Sequence, residues 1–316
     1  SILLTILAII GIWEKDQPKY FGIGGEKTEK VKVSEYLQII RENKPMQRLM
    51  IAGAGTKLAL SIANNTTVLC MLYGCMMGAY DGLYLPMMVL GYVFSVPFFL
   101  LTVRTSQKEG QKASLMKYVS VAFICYIGVL VLLLLWGRSD AFTLSIMGEN
   151  GLSINLYTIL FIAFFGIGYG AYYATADMPI PMVADCSDYE TYQSGKYIPG
   201  IMGTLFSLVD KLVSSLSATV VGIAVTFIGL NNLPTQYDPY TPGMNVVVIV
   251  LFCAIPMVAW AATLIAMKGY SLTGEKMKEI QAVNACRRDA VAKGMKLDEA
   301  IAKWQSMDQL PAEYRS

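Results

Sequence analysis

Residues 197–230 read YIPGIMGTLFSLVDKLVSSLSATVVGIAVTFIGL, an apolar, small-residue stretch with a single cation, Lys211, inside it. At a helical rise of about 1.5 Å per residue, Lys211 lies roughly 20 Å from the start of the stretch. That is near the middle of a hydrocarbon core about 30 Å thick. A charge there costs at least ~2.5–3.5 kcal/mol on insertion scales. A lysine at that depth faces a polar cavity or a partner, so the stretch is expected to be a membrane span that borders a pathway.

The rest of the chain has the same character. Hydrophobic residues make up 55% of it and charged residues 15%, with a mean hydropathy of +0.49. A soluble domain carries about 25% charge. Apolar runs of spanning length cover about 49–78, 83–103, 115–136, 154–183, 198–230 and 244–267. Each exceeds the ~18 residues that argue for a transmembrane helix. None alternates with period two, and a barrel strand needs only about ten residues. The fold class is therefore an all-α membrane protein with six full spans.

Residues 1–13, SILLTILAIIGIW, are apolar but too short to span. They lack the basic start and the cleavage site of a signal peptide. The expectation is that they end another membrane helix, and that the chain is the C-terminal part of something larger.

Basic residues give the orientation. Residues 14–48 hold eight: Lys15, Lys19, Lys27, Lys30, Lys32, Arg41, Lys44 and Arg48. On the same side follow Arg104, Lys108, Lys112 and Lys117, then Lys196, then nine more from Lys268 onward. The opposite loops hold only Arg138, and Lys57 and Lys211 lie within spans. Positive charge marks the cytoplasmic side. Both chain ends are expected there, in a multi-pass protein of the plasma (inner) membrane.

Absences narrow the chemistry. The chain has no histidine, which removes Ser-His-Asp and Cys-His catalysis, His-ligated zinc and His-ligated haem. Its six cysteines show no CxxC spacing and read as small buried hydrophobes. No Walker-type phosphate loop is present, and the net charge of +2 supports no nucleic-acid partner. No enzyme, metal site or cofactor is expected.

The connection after the fourth span reads MVADCSDYETYQSGKYIPG, from Met182 to Gly200. Its Asp185, Asp188, Tyr189, Glu190, Ser194-Gly195-Lys196 and Gly200, with Lys211 on the following span, resemble the glycoside–pentoside–hexuronide:cation symporters. That is the melibiose-carrier branch of the major facilitator fold. Arg104-x-x-x-Lys108-x-Gly110-x-Lys112 resembles a basic loop of the same fold. Tyr270-x-Leu272, Ile280 and Arg287-Arg288 resemble its short cytoplasmic C-terminal helix.

The resemblance implies a six-helix C-terminal bundle whose N-terminal half is missing from the chain. Residues 1–13 would end helix six, 14–48 would be the central cytoplasmic loop, 49–268 the bundle, and 269–316 a cytoplasmic amphipathic tail. It also implies Na⁺ or H⁺ symport of a sugar by alternating access. Partners would then be a sugar-type small molecule, a monovalent cation, membrane lipid and the other six-helix half. The cation-coordinating carboxylates would lie mainly on that half. Lys211 and Ser207 match the lysine and the preceding hydroxyl of the family's sugar and cation pocket. Two departures stand out: Asp210 occupies a usually uncharged position, and Ala176 stands where the melibiose carrier has tryptophan.

Read from the residues alone, several alternatives stay open. Gly203, Ser207, Lys211, Ser214 and Ala218 share one small, polar helix face, which either packs a helix or lines a cavity. Asp210 points about 100° from Lys211 and either neutralises Lys57 or serves as a proton or cation ligand. Lys57 and Asn64 share a face of the first span, as an interhelical polar contact or a second cavity contact. Tyr169, Tyr173 and Asp177 align at helical spacing, as a sugar platform or as packing. Gly166 and Gly170 form a packing motif, and Pro179 and Pro181 should break the fourth span and free carbonyls.

Asp185, Asp188 and Glu190 are either solvated or form cytoplasmic gate pairs with Lys196 and Lys112. The tail reads as one or two amphipathic helices on the membrane surface or at the gate. Other functional classes also remain: a carrier of a lipid-like or amphipathic substrate, and a non-transporting half-carrier that acts as sensor or subunit.

Overall fold

The computed structural model describes residues 9–11, 40–148, 151–152 and 154–315. The basic residues Lys15 to Lys32 and most of the 1–13 and 14–48 readings lie outside these. Two compact units are distinguished. One takes Lys44–Val183 and Thr204–Ser271; the other takes Ala184–Gly203, Leu272–Ser316 and the segment ending at Asn43.

The first span begins earlier than its hydropathy suggests, at Lys44. Helix α1 (Lys44–Ala63) is followed by α2 (Thr66–Leu69), which runs on into a π-helical turn, Cys70–Met76. The two parts meet at a 46° bend. Asn65 causes the restart: it is extended, and its side chain accepts from the Thr67 amide at 2.9 Å, capping the new helix. Next come α3 (Tyr80–Glu109), α4 (Gln111–Leu135), α5 (Leu156–Thr175) and α6 (Pro179–Ser194). Helix α7 (Pro199–Thr226) follows. A sixth span is built from α8 (Met244–Ile249), a π-helical turn at Val250–Ala254 and α9 (Ile255–Lys268). Among the described residues, five helical runs are long and apolar enough to cross a membrane, or six with the bent first pair. Among the described residues, strand pairing is confined to a minimal hairpin, β1 (Met147–Gly148) against β2 (Gly151–Leu152).

Glycines set the helix contacts. Lipid gives helices no hydrophobic drive to associate, so close backbone approach must supply the packing. A Cβ on Gly166 would meet the Phe94 ring at 2.7 Å, and one on Gly170 would meet the Phe94 carbonyl oxygen at 2.7 Å. The Gly166/Gly170 motif thus seats α5 on α3. Gly128 admits the Phe164 ring and Gly168 the Tyr126 ring, which join α4 to α5. Gly55 lies against Thr263 and the Ala259 carbonyl, which joins α1 to α9. All six cysteines are buried and free, as their apolar settings suggest.

The second unit gives the tail two helices, within the one or two expected, and adds a core of their own. Helices α10 (Gly274–Ala292) and α11 (Leu297–Lys303) share a core of Val283, Cys286, Ala300, Trp304 and Leu310. The Met182–Gly200 connection is corrected, because most of it is helix α6. Polar residues there suggested a loop, yet Asp, Glu, Gln and Tyr all sustain a helix once its end is held. Gly195 ends it with φ +75°, and a Cβ there would strike Ile301 of α11.

Candidate functional site

The first unit places Lys57, Asp210, Ser207 and Lys211 on α1 and α7. Lys57 Nζ lies 3.4 Å from Asp210 Oδ1, and each side chain is 26% exposed. Of the two roles open to Asp210, the structure gives it the lysine. Lys211, the next residue, is exposed and has no ion-pair partner among the described residues.

Hydroxyls on α7 divide into two kinds. Ser214, Ser215 and Ser217 donate to the carbonyls of Asp210, Leu212 and Ser214, at 2.8, 2.8 and 2.7 Å. Ser207 is exposed and makes no such bond among the described residues. Ser207 and Lys211, one turn apart, are therefore the polar groups of the stripe whose side chains make no bond among the described residues, while Ser214 gives its hydrogen to the Asp210 carbonyl and keeps its oxygen lone pairs.

The tyrosines separate. Tyr169 is 4% exposed. Its ring stacks on Tyr173 at 5.5 Å, and Gly91 gives it room. An open platform built on both rings is therefore corrected: Tyr169 is enclosed by packing. Tyr173 is half-buried, edge-on to Tyr92 and Phe99, while Asp177 is exposed. Asn64 sits at the bend of the first span, and its Oδ1 lies 3.5 Å from the Tyr172 hydroxyl that donates to it. It therefore belongs to the aromatic interior rather than to the face of Ser207.

The break between α5 and α6 lies where Pro179 and Pro181 predict it. Its carbonyls are not left free. Those of Tyr173, Thr175 and Asp177 accept from the amides of Ala176, Met178 and Ile180, at 3.4, 3.2 and 3.1 Å. The Ala176 carbonyl lies 3.4 Å from the Thr56 hydroxyl. Three-residue bonding thus takes up what the prolines release.

In the second unit, Asp185 and Asp188 sit half-buried one turn apart on α6, and Glu190 is 6% exposed. Glu190 Oε2 accepts from Asn43 Nδ2 at 3.0 Å, and the same amide donates to the Cys186 carbonyl at 3.3 Å. No ion pair joins these carboxylates to Lys196 among the described residues. Lys196 is exposed, and its backbone serves the turn instead. Lys112, in the first unit, donates to the Tyr270 carbonyl at 2.7 Å, just past the C-terminal end of α9. Within the second unit Glu190 is thus held by an amide rather than by Lys196.

Sequence reasoning missed Arg287. It is 2% exposed, donates from Nε and Nη2 to the Trp304 carbonyl at 2.9 and 2.6 Å, and lies over the Tyr192 ring. Asn284 Nδ2 donates to the Asp188 carbonyl at 2.9 Å. The Arg287-Arg288 doublet is visible in the sequence, but nothing there reveals which arginine turns inward.

Spans of this kind, with an intramembrane lysine and glycine-seated helices, accord with the match found for residues 1–274 to the family described as MFS/sugar transport protein. The chain belongs to that family. It is an integral membrane protein of the major facilitator kind. A protein of Pseudescherichia vulneris described as an uncharacterized 29.9 kDa protein in the crtE 3′ region is 31% identical over 124 residues. That alignment covers 39% of this chain and 43% of the relative, so the chain spans less than half of the relative's length.

Proposed function

We propose that this chain is the C-terminal part of a cation-coupled carrier that takes up a glycoside, pentoside or hexuronide with Na⁺ or H⁺. The observation that carries the reading is the pair Ser207 and Lys211: an exposed cation and an uncommitted hydroxyl, one turn apart, on an apolar span. A polar, uncommitted face on such a helix costs free energy unless it borders water, ligand or a second bundle. Sugar hydroxyls suit both groups, since an ammonium donates and a serine both donates and accepts. In this reading α7 faces a midplane site completed by a preceding six-helix half, which carries the main cation carboxylates. Of the two candidate tyrosines, Tyr173 is the more open. The basic residues at one end of the spans favour a plasma-membrane protein with both chain ends in the cytoplasm.

The test is uptake by the full-length protein in proteoliposomes, with a panel of labelled sugars and imposed Na⁺ or proton gradients. Gradient-dependent uptake of one sugar class, lost in Lys211→Gln, is the expected result. Flux of lysolipid with no sugar flux would replace the reading with a carrier of amphipathic substrates. Sugar binding without flux would replace it with a sensor.

A further inference from the structure

Two contacts fix how α1 and α7 meet. A Cβ on Gly53 would lie 2.6 Å from the Phe206 ring, and Lys57 Nζ lies 3.4 Å from Asp210 Oδ1. Gly53 and Lys57 are one turn apart, as are Phe206 and Asp210. The two helices therefore run in the same direction and in step. The next turn in that step brings Ser61 and Ser214, both half-buried. The Phe206 ring thus lies one turn to one side of the ion pair, and the same step carried one turn further sets the positions of Ser61 and Ser214 level with each other on the other side.

The pair is loose. A charge-assisted N–H···O bond closes to about 2.7–2.9 Å, whereas this one stands at 3.4 Å on a single oxygen. Asp210 Oδ2 has no partner among the described residues, and neither side chain is sealed from solvent. Even so, a bare carboxylate within an apolar span is costly. Whenever the Lys57 ammonium moves away, another cation must take its place. The donors on offer are a carboxylate and hydroxyls, with no thiolate or imidazole, which suits a hard cation. One carboxylate cannot balance two positive charges, so occupancy by a cation and by Lys57 exclude each other.

We propose that Asp210, with the hydroxyls of Ser61 and Ser214, is an alkali-cation site in this half of the carrier, and that Lys57 is its tethered occupant. Na⁺ entry releases Lys57, and Na⁺ departure returns it. This loosens and restores the contact between α1 and α7. The inference rests on the transporter reading but does not depend on which substrate is carried.

Na⁺ binding to the full-length protein in nanodiscs, titrated without substrate and with choline as the control, tests it. Lys57→Gln is expected to tighten Na⁺ binding about tenfold, because the competing ammonium is gone. Asp210→Asn should abolish that gain in the double variant. Ser214→Ala leaves the ion pair in place and should weaken Na⁺ binding several-fold. Equal Na⁺ affinity in all four proteins, with folding restored by the exchange K57D/D210K, would mean a structural lock and would overturn the proposal. Na⁺ binding at Asp210 without sugar uptake would sink only the sugar reading.

Discussion

Arg287 Nη1 donates to the Tyr192 carbonyl oxygen at 2.6 Å, so a residue of the tail holds the last turn of α6. The same guanidinium binds the Trp304 carbonyl, and the Tyr192 hydroxyl donates to the Gln305 carbonyl at 2.6 Å. Helix ends leave carbonyls without intrahelical donors. Here the tail supplies the donors, and the segment that carries Asp185, Asp188 and Glu190 is held as a result.

Replacing Arg287 with Met should leave buried carbonyls unpaired, at a cost of about 1–3 kcal/mol each. The tail should then open locally. Cys286 reports this well. It is 3% exposed, and burial pushes its thiol above the usual range, so maleimide should not label it in the native protein at neutral pH. Mass spectrometry should find Cys286 labelled in Arg287→Met. A variant as protected as the native chain would show that the arginine is not the brace.

Gly170→Ala should destabilise more than Gly166→Ala. The Gly166 methyl would press on the Phe94 ring, which can turn, while the Gly170 methyl would press on the Phe94 backbone carbonyl. Overpacking of this kind costs about 1–3 kcal/mol. Thermal unfolding in detergent should rank the two variants. The reverse order would mean that α3 shifts away more easily than its side chain rotates.

Hydropathy made the six spans legible, and a lysine in an apolar run marked α7 as special. The partner of Asp210 was legible only as one of two alternatives, Lys57 or a bound cation, and the structure pairs it with Lys57. Lys211 adjoins it in the chain, but helical geometry turns that neighbour away, and the register that brings up Lys57 depends on how Phe206 seats in Gly53. Asn65 could have been found, since an Asn before Thr-Thr is an ordinary helix start; its position inside an apolar run concealed it. The α6 helix was hidden for the opposite reason. Its polar residues look solvent-exposed until Asn43, Asn284 and Arg287 cover them, and those residues are far away in the chain.

Tyr169→Ala should cost about 3–5 kcal/mol, as loss of a buried aromatic does, and should lower the amount of folded protein. Tyr173→Ala should unfold the protein less and raise the KM for uptake. Kinetics on the folded fraction will separate the two. An unchanged KM in Tyr173→Ala would remove that ring from the site.

Asp188→Asn removes one of two like charges a turn apart on α6, while its backbone carbonyl keeps the bond from Asn284. If this acidic turn biases access, the variant should shift the rate at which a cysteine placed in the cytoplasmic half of α7 is labelled, by about threefold for a bias of roughly 0.6 kcal/mol. Labelling and uptake equal to the native protein would make Asp188 a solvated charge only.

The in-step contact of α1 and α7 also limits how those helices can move. A slip of one helix by a full turn, about 5.4 Å, would put Ser214 or Phe206 opposite Lys57 and drive the Phe206 ring out of its glycine notch. Both changes are costly and come together, so the contact works as a detent. Tilting about Gly53 and Asp210 as a hinge line keeps both contacts, so a change of access that preserves them is a rotation rather than a slide.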